Sequence, residues 1–265
     1  MRLLLGFGGL CLPFCAFAVA PGFTTDTTTT DYNFVGQVNG ASGVLVGSDM
    51  VLTAKHVGAG TFTLPGIGSF NLVANSAVTD PNSDLALFRI DVGSTVLQHA
   101  TININPLAFG DTVTMVGFGG SGSVNSIGTG YTIDIPAGNT RRKADGTYEF
   151  TDFVVDQNNN VLGNSLIAPL RHDGQAALVG GDSGGGWFHN GYLVGTSSFV
   201  GSYGNGNSYA FSNSQTDFFV SGAISLSDNA QFLRSNGVVV VPEPASMAAL
   251  GLGVVVLLRR RKKSA

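Results

Sequence analysis

Glycine breaks nearly every apolar run in this chain, and that habit limits what the chain can become. There are 38 glycines in 265 residues. Runs such as NFVGQVNG (33–40), SGVLVGSDMVLTAKHV (42–57), FTLPGIGSFNLVANSAVTD (62–80) and DTVTMVGFGGSGS (111–123) are rich in Val, Thr and Phe and meet a glycine within a few residues. A glycine inside a helix costs roughly 0.5–1 kcal/mol relative to alanine, so these runs do not assemble into helices. They read as short strands joined by turns. In SDLALFRI (83–90), Leu85, Leu87 and Arg89 alternate with Ala86, Phe88 and Ile90, a strand apolar at most positions. GTYEFTDFVVDQ (146–157) reads as half of a hairpin, and YLVGTSSFV (192–200) and NSYAFSN (207–213) as further strands. One segment has helical character, LSDNAQFLRSNG (226–237). Ser227 or Asp228 can cap its start, Phe232 and Leu233 give an apolar face, and Asn236-Gly237 closes it. The expected fold class is all-β with a short C-terminal helix.

The two ends have a different composition. Residues 1–18 carry one arginine, an apolar run and small residues at Ala16 and Ala18, the pattern of a secretory signal peptide cut by signal peptidase. Both cysteines, Cys11 and Cys15, lie in that segment, so the exported body folds without disulfides. Residues 19–33 include TTDTTTT and read as a flexible lead-in. At the other end, an apolar run from Ala245 to Leu258 is closed by Arg259, Arg260, Arg261, Lys262 and Lys263. It reads as a short transmembrane segment with its basic end in the cytoplasm. The preceding Pro242-Glu243-Pro244 completes an order that resembles the PEP-CTERM sorting signal of Gram-negative bacteria, assigned to residues 238–265. That resemblance implies transient residence in the inner membrane, processing by an exosortase-type enzyme and delivery to the cell surface or extracellular matrix.

Charge excludes one class of partner. Setting Arg2, the five tail cations and Glu243 aside leaves 7 Lys+Arg against 16 Asp+Glu, about −9 for the body. Nucleic acid needs a basic footprint, so it is not an expected partner. RRK at 141–143 reads as a solvated loop. No metal-ligand cluster or phosphate loop is visible, and no cofactor is expected.

The densest glycine cluster is GGDSGGGW, residues 180–187. It places Ser183 on a turn where another group can come very close. A serine hydroxyl is a weak nucleophile unless a base takes its proton and a third group orients the base. The histidines are His56, His99, His172 and His189. His56 stands out at the end of the apolar strand VLTAKHV. Asp84, immediately before an apolar strand, is a carboxylate that strand geometry can bury.

In the order His56, Asp84, Ser183, and with their flanks TAKH, DLAL and GDSGG, these residues resemble the trypsin-like serine proteases. VGFG (116–119) and LVGTSSF (193–199) resemble two further strands of that family. The resemblance covers about residues 34–236. It implies two six-stranded antiparallel β-barrels, residues 34–115 and 116–237, with the active site in the cleft between them. It implies His56, Asp84 and Ser183 as the catalytic set, the N–H groups of Gly181 and Ser183 as an oxyanion hole, and Asp182 as a loop-shaping residue. There are departures. Lys55 stands where alanine is usual, Val57 follows the histidine, and Gly186 replaces a proline. No I-V-G-G start exists to supply a partner for Asp182.

The expected function is a secreted serine endopeptidase acting on protein or peptide substrates through an acyl-enzyme. Counting back six from Ser183 reaches Ala177, where the resemblance to trypsins implies a pocket-floor aspartate that selects Lys or Arg. With Ser198, Phe199 and Val200 along the wall, cleavage after small or medium apolar residues is expected. Two alternatives stand beside this: a catalytically inactive protease-like binding or matrix protein, and an esterase using the same triad. The G-x-S-x-G spacing of Gly181, Ser183 and Gly185 is present, but the strand–helix alternation of α/β-hydrolases is not.

Overall fold

The computed structural model describes residues 24–25, 31–124, 131–135, 137–156, 158–170, 177–203, 209–210 and 218–241. The expected signal peptide, His172 and the apolar tail lie outside them. Among the described residues no helix is long and apolar enough to cross a membrane.

The first sheet has seven strands in the order Gly68–Phe70, Phe62–Leu64, Val35–Val38, Ala41–Leu45, Met50–Ala54, Leu85–Arg89, Val78–Thr79, each antiparallel to its neighbours. Its first hairpin turns on Asn39-Gly40, with φ of 49° and 79°. Positive φ at both central residues is the two-residue hairpin geometry that matches strand twist, and Asn-Gly suits it best. The inward side chains of this sheet, among them Val38, Leu45, Val51, Phe62, Phe88 and Ile90, form one apolar cluster.

The second sheet has eleven strands. Its main path runs Thr24–Thr25, Arg142–Thr147, Thr112–Gly117, Gly186–His189, Tyr192–Tyr203, Phe218–Ser225, Val161–Leu170, Phe150–Val155. Tyr209–Ala210 extends it beside Tyr192–Tyr203, and Ile102–Asn103 joins it in parallel with Tyr192–Tyr203 and Val240–Val241. Asn190-Gly191, with φ of 50° and 80°, repeats the Asn-Gly hairpin device. Trp187 is fully buried here with Val113, Met115, Ala168 and Ala223. A third cluster joins the two sheets. Val35, Val44, Leu52, Leu85 and Leu87 of the first meet Val116, Phe118, Phe188, Leu193 and Ile224 of the second.

The fold is the expected all-β class, two curled antiparallel sheets with one short helix, Ala230–Ser235. Each of these two sheets exceeds six strands because short runs such as Val78–Thr79 and Thr24–Thr25 add to the edges, and Ser121–Val124 with Tyr131–Ile135 form a separate two-stranded sheet. Thr24–Thr25 and Ile102–Asn103 both belong to the second sheet, one before and one after the strands of the first.

Four local expectations change. The helix cap is Asn229, whose side chain makes no cap bond and donates instead to Ser225 C=O at 2.7 Å, while Asp228 accepts from Ser225 Oγ. The lead-in is not loose throughout. Thr24–Thr25 pairs with Lys143 and Arg142, and the Tyr32 ring lies 4.7 Å from that of Phe188. RRK is no solvated loop. Arg142–Thr147 is a strand of alternating burial, and Arg141 and Arg142 are 5% and 7% exposed. The body continues past Gly237, since Val238 is buried and Val240–Val241 pairs with Ile102–Asn103.

Candidate active site

The strand pair Met50–Ala54 and Leu85–Arg89 sets the first half of the site. Their register puts Ala54 opposite Leu85. His56 therefore lies in the turn just beyond one strand, and Asp84 just before the other. The carboxylate holds the histidine at two points. Its Oδ1 accepts from the His56 backbone N–H at 3.0 Å, and its Oδ2 lies 2.7 Å from Nδ1. An ionised carboxylate only accepts, so Nδ1 carries the proton and Nε2 is the basic nitrogen. The hydrogen bond to Asp84 raises the His56 pKa above its ordinary value, burial opposes this, and the negative charge adds to the rise. Asp84 is itself buried, and Ser198 Oγ donates to its Oδ2 at 2.5 Å.

Lys55 braces the loop that carries Asp84. Its ammonium donates to the carbonyls of Asp80 and Ser83 at 2.8 and 3.0 Å. Buried Asp80 accepts in turn from the Asn82 N–H and the Ser83 hydroxyl. The second sheet closes over the same loop, where the Asp84 N–H donates to Leu162 C=O and Gly163 leaves no room for a Cβ beside Ser83.

Ser183 comes from a turn in the second sheet. Val179 to Asp182 form a type II turn, closed by Asp182 N–H to Val179 C=O at 3.0 Å, with Gly181 at φ 101°. Only glycine takes that conformation freely. Gly184, at φ 82°, packs where a Cβ would stand 2.1 Å from Ser42 O and 2.2 Å from Thr53 Oγ1. That close approach brings Ser183 against the strand end that leads to His56. Ser42, fully buried in the first sheet, grips the turn from the other side. Its N–H donates to Ser183 C=O, its hydroxyl donates to Gly181 C=O at 2.8 Å, and the same hydroxyl accepts from Phe118 N–H. Among the described residues the N–H groups of Gly181 and Ser183 have no acceptor, and no hydrogen bond joins Ser183 Oγ to His56. Catalytic hydrogen bonds of this kind often tighten only when substrate is bound.

Asp182 points away from the cleft, 1% exposed, and accepts from Gly119 N–H at 2.7 Å and Val179 N–H at 3.0 Å. Burial pushes its pKa up to about 7, against the lowering effects of those N–H groups and of the Arg142 charge. Gly117 and Gly119 exist as glycines for this side chain, since a Cβ on either would come within 2.4 Å of its carboxylate.

Beside Ser183 opens a pocket of about 170 Å³ lined by Leu178, Val179, Gly180, Ser198, Phe199 and Val200. Ala177, fully buried, precedes that lining. Val200 pairs with Ser221 across the sheet, and Ser221 Oγ accepts from Leu178 N–H at 2.8 Å.

His56, Asp84, Ser183, Ser198, Phe199 and Val200 thus come together, and Gly181 and Asp182 lie in the turn that carries Ser183, the Asp182 carboxyl buried behind it. His99 and His189 bond backbone carbonyls elsewhere, those of Ala100 and Thr112. Ser42, Lys55, Arg142 and Ser221 carry contacts that no motif announced. The only sequence hint was Lys55, an unusual neighbour for the histidine. Among the described residues no group of three or more acidic, histidine or cysteine side chains could hold a metal ion.

Comparison with known proteins gives the family and the fold. The family model described as Trypsin matches residues 21–219, and that of the PEP-CTERM protein-sorting motif matches residues 240–262. No curated protein sequence matches the chain. Among solved structures, the inactive form of the Rv3671c protease is similar with a TM-score of 0.52 at 16% identity, over 79% of this chain and 91% of that one. The HtrA-type protease AlgWS227A with a tripeptide is similar with a TM-score of 0.51 at 18% identity, over 78% of this chain and 61% of that one.

Proposed function

Because the chain belongs to the trypsin family of serine proteases, we propose that it is a secreted serine endopeptidase with His56, Asp84 and Ser183 as its catalytic set. The observation that carries this reading is the way Asp84 fixes the His56 ring through both carboxylate oxygens, with the N–H groups of Gly181 and Ser183 free of acceptors among the described residues. In the reaction, Ser183 Oγ attacks the scissile carbonyl carbon and His56 Nε2 takes its proton. The developing oxyanion accepts from the Gly181 and Ser183 N–H groups, and Asp84 stabilises the imidazolium through Nδ1. His56 then protonates the leaving amine. Water, activated by the same base, hydrolyses the acyl-enzyme and returns the hydroxyl to Ser183.

Two observations support a preference for small or medium apolar residues before the cleaved bond. Ala177 offers no carboxylate to a cationic side chain. Val200 lines the pocket and takes up space a larger side chain would need. The peptide itself is expected to extend along the 198–200 strand.

The sorting motif implies export and C-terminal sorting. The finer reading is that an exosortase-type enzyme cuts near Pro242–Pro244 and releases the protease to the surface or matrix of a Gram-negative cell. Reaction with a serine-directed fluorophosphonate, followed by cleavage of a peptide library, tests the whole proposal. The expected result is labelling at Ser183 and cleavage after Ala, Val or Leu; a strong preference for Arg would overturn the reading of the pocket.

A further inference from the structure

Asp182 is buried beneath the turn that presents the Gly181 and Ser183 N–H groups. A buried carboxylate must be met by partners or neutralised. Two backbone N–H groups meet it, and among the described residues the charge that acts on it is that of Arg142. Arg142 reaches the aspartate through Gly119. Its guanidinium donates to Gly119 C=O at 2.6 Å, while the N–H of the same glycine donates to Asp182 Oδ1 at 2.7 Å. A cation on one side and an anion on the other therefore clamp Gly119. The residue across the sheet from Arg142 is Gly117, the other glycine that makes room for the carboxylate. Strand end, arginine and aspartate form one unit under the turn.

The chain ahead of the first sheet is committed elsewhere. Thr25 pairs with Arg142 and Thr24 with Lys143, Asp31 Oδ2 accepts from Lys143 Nζ at 3.2 Å, and Arg141 donates to Val35 C=O. A new start freed near Val35 would have to give up these contacts before it could approach Asp182.

We infer that Arg142 is the positioning residue that holds Asp182, and through it the Val179–Ser183 turn, in the form that presents both N–H groups, so that the chain becomes active without a second N-terminal cut after removal of the signal peptide. This rests on the reading of Ser183 as nucleophile and deepens it. Arginine suits the task because it stays charged when buried and offers several donors in a fixed plane.

The test compares the full-length chain with Arg142→Gln and Arg142→Lys, using Arg89→Gln as a control at the exposed ion pair with Asp49. Removing one oxyanion donor outright costs about 10²–10³ in kcat, and loosening both indirectly is expected to cost about 10–10². Arg142→Gln should therefore lose kcat by that factor with KM nearly unchanged. Arg142→Lys should recover part of it, and Arg89→Gln should match the parent. Undiminished kcat in Arg142→Gln would overturn the inference.

A second readout needs no catalysis. With ¹³C-carboxyl aspartate, Asp182 should titrate near 7 in the parent and at higher pH in Arg142→Gln, with Arg142→Lys between. If the glutamine variant does not fold, the lysine variant decides, and an unmoved titration would overturn the link. A parent that cleaves nothing, with the titration still moving as described, would reject the protease reading and leave the Arg142–Asp182 assignment standing. Mass spectrometry of the fluorophosphonate-labelled species should find residues 24–32 attached; labelled protein that begins only after residue 32 would overturn activation without a second N-terminal cut.

Discussion

At His56 one hydrogen bond decides how the site answers to pH. The 2.7 Å contact with Asp84 favours the charged ring, so the pKa lies above the ordinary value of about 6.5. The fold gains stability from that charge fully below about pH 6.5 and loses it as pH rises through the raised value. Activity runs the other way, because the base must be neutral. Peptide cleavage should rise with pH along a limb centred above about 6.5. Asp84→Asn should lower kcat by about 10⁴ and move the limb toward lower pH. A pH–rate profile from about pH 5 to 9 checks both, and a limb that stays in place in the variant would contradict the assignment. Gly184→Ala tests the loop at the same scale. Its Cβ would meet Ser42 O at 2.1 Å, a backbone atom that cannot move aside. We expect the variant to unfold more easily and to lose most of its cleavage, read by thermal melting and peptide assay.

Secondary-structure elements carry the second level. His56, Asp84 and Ser183 were legible because each sits beside a local pattern: an apolar strand end, an apolar strand start, a glycine turn. Arg142 was not, since three adjacent cations read as solvated until the strand RKADGT is laid down. Its period of two then turns Arg142 inward while Lys143 is only partly covered. Ser42 was hidden for another reason. Its hydroxyl bonds to Gly181, 139 residues away, and nothing local marks a serine for such a contact. Ser42→Ala would leave Gly181 C=O and Phe118 N–H without their buried partner. Leaving buried groups unpaired costs about 1–3 kcal/mol, so a lower denaturation midpoint is expected, with kcat reduced more than KM is raised. A variant indistinguishable from the parent in both would contradict the bracing role.

For the molecule as a whole, the limits of the folded body matter most. The C-terminal helix closes at Asn236-Gly237, and the boundary read from the sequence falls there. The fold runs further, because Val238 enters the core that joins the sheets and Val240–Val241 pairs with Ile102–Asn103. Burying a valine contributes about 1.5–3 kcal/mol. A chain ending at Gly237 should therefore melt measurably below one ending at Val241, and equal melting would remove the last strand from the account. Processing near Pro242–Pro244 would cut just beyond that strand and leave the body intact. Intact-mass measurement of protein from the native host should find an end near Val241–Pro244.

The central claim is that Ser183 is a nucleophile served by His56. Mass spectrometry of the fluorophosphonate-treated protein tests it most directly, with the parent run beside Ser183→Ala and His56→Ala. The account predicts one adduct on the parent, mapped to Ser183, none on Ser183→Ala, and labelling slowed by about 10³ or more in His56→Ala. An adduct on another serine, or undiminished peptide cleavage by Ser183→Ala, would contradict it.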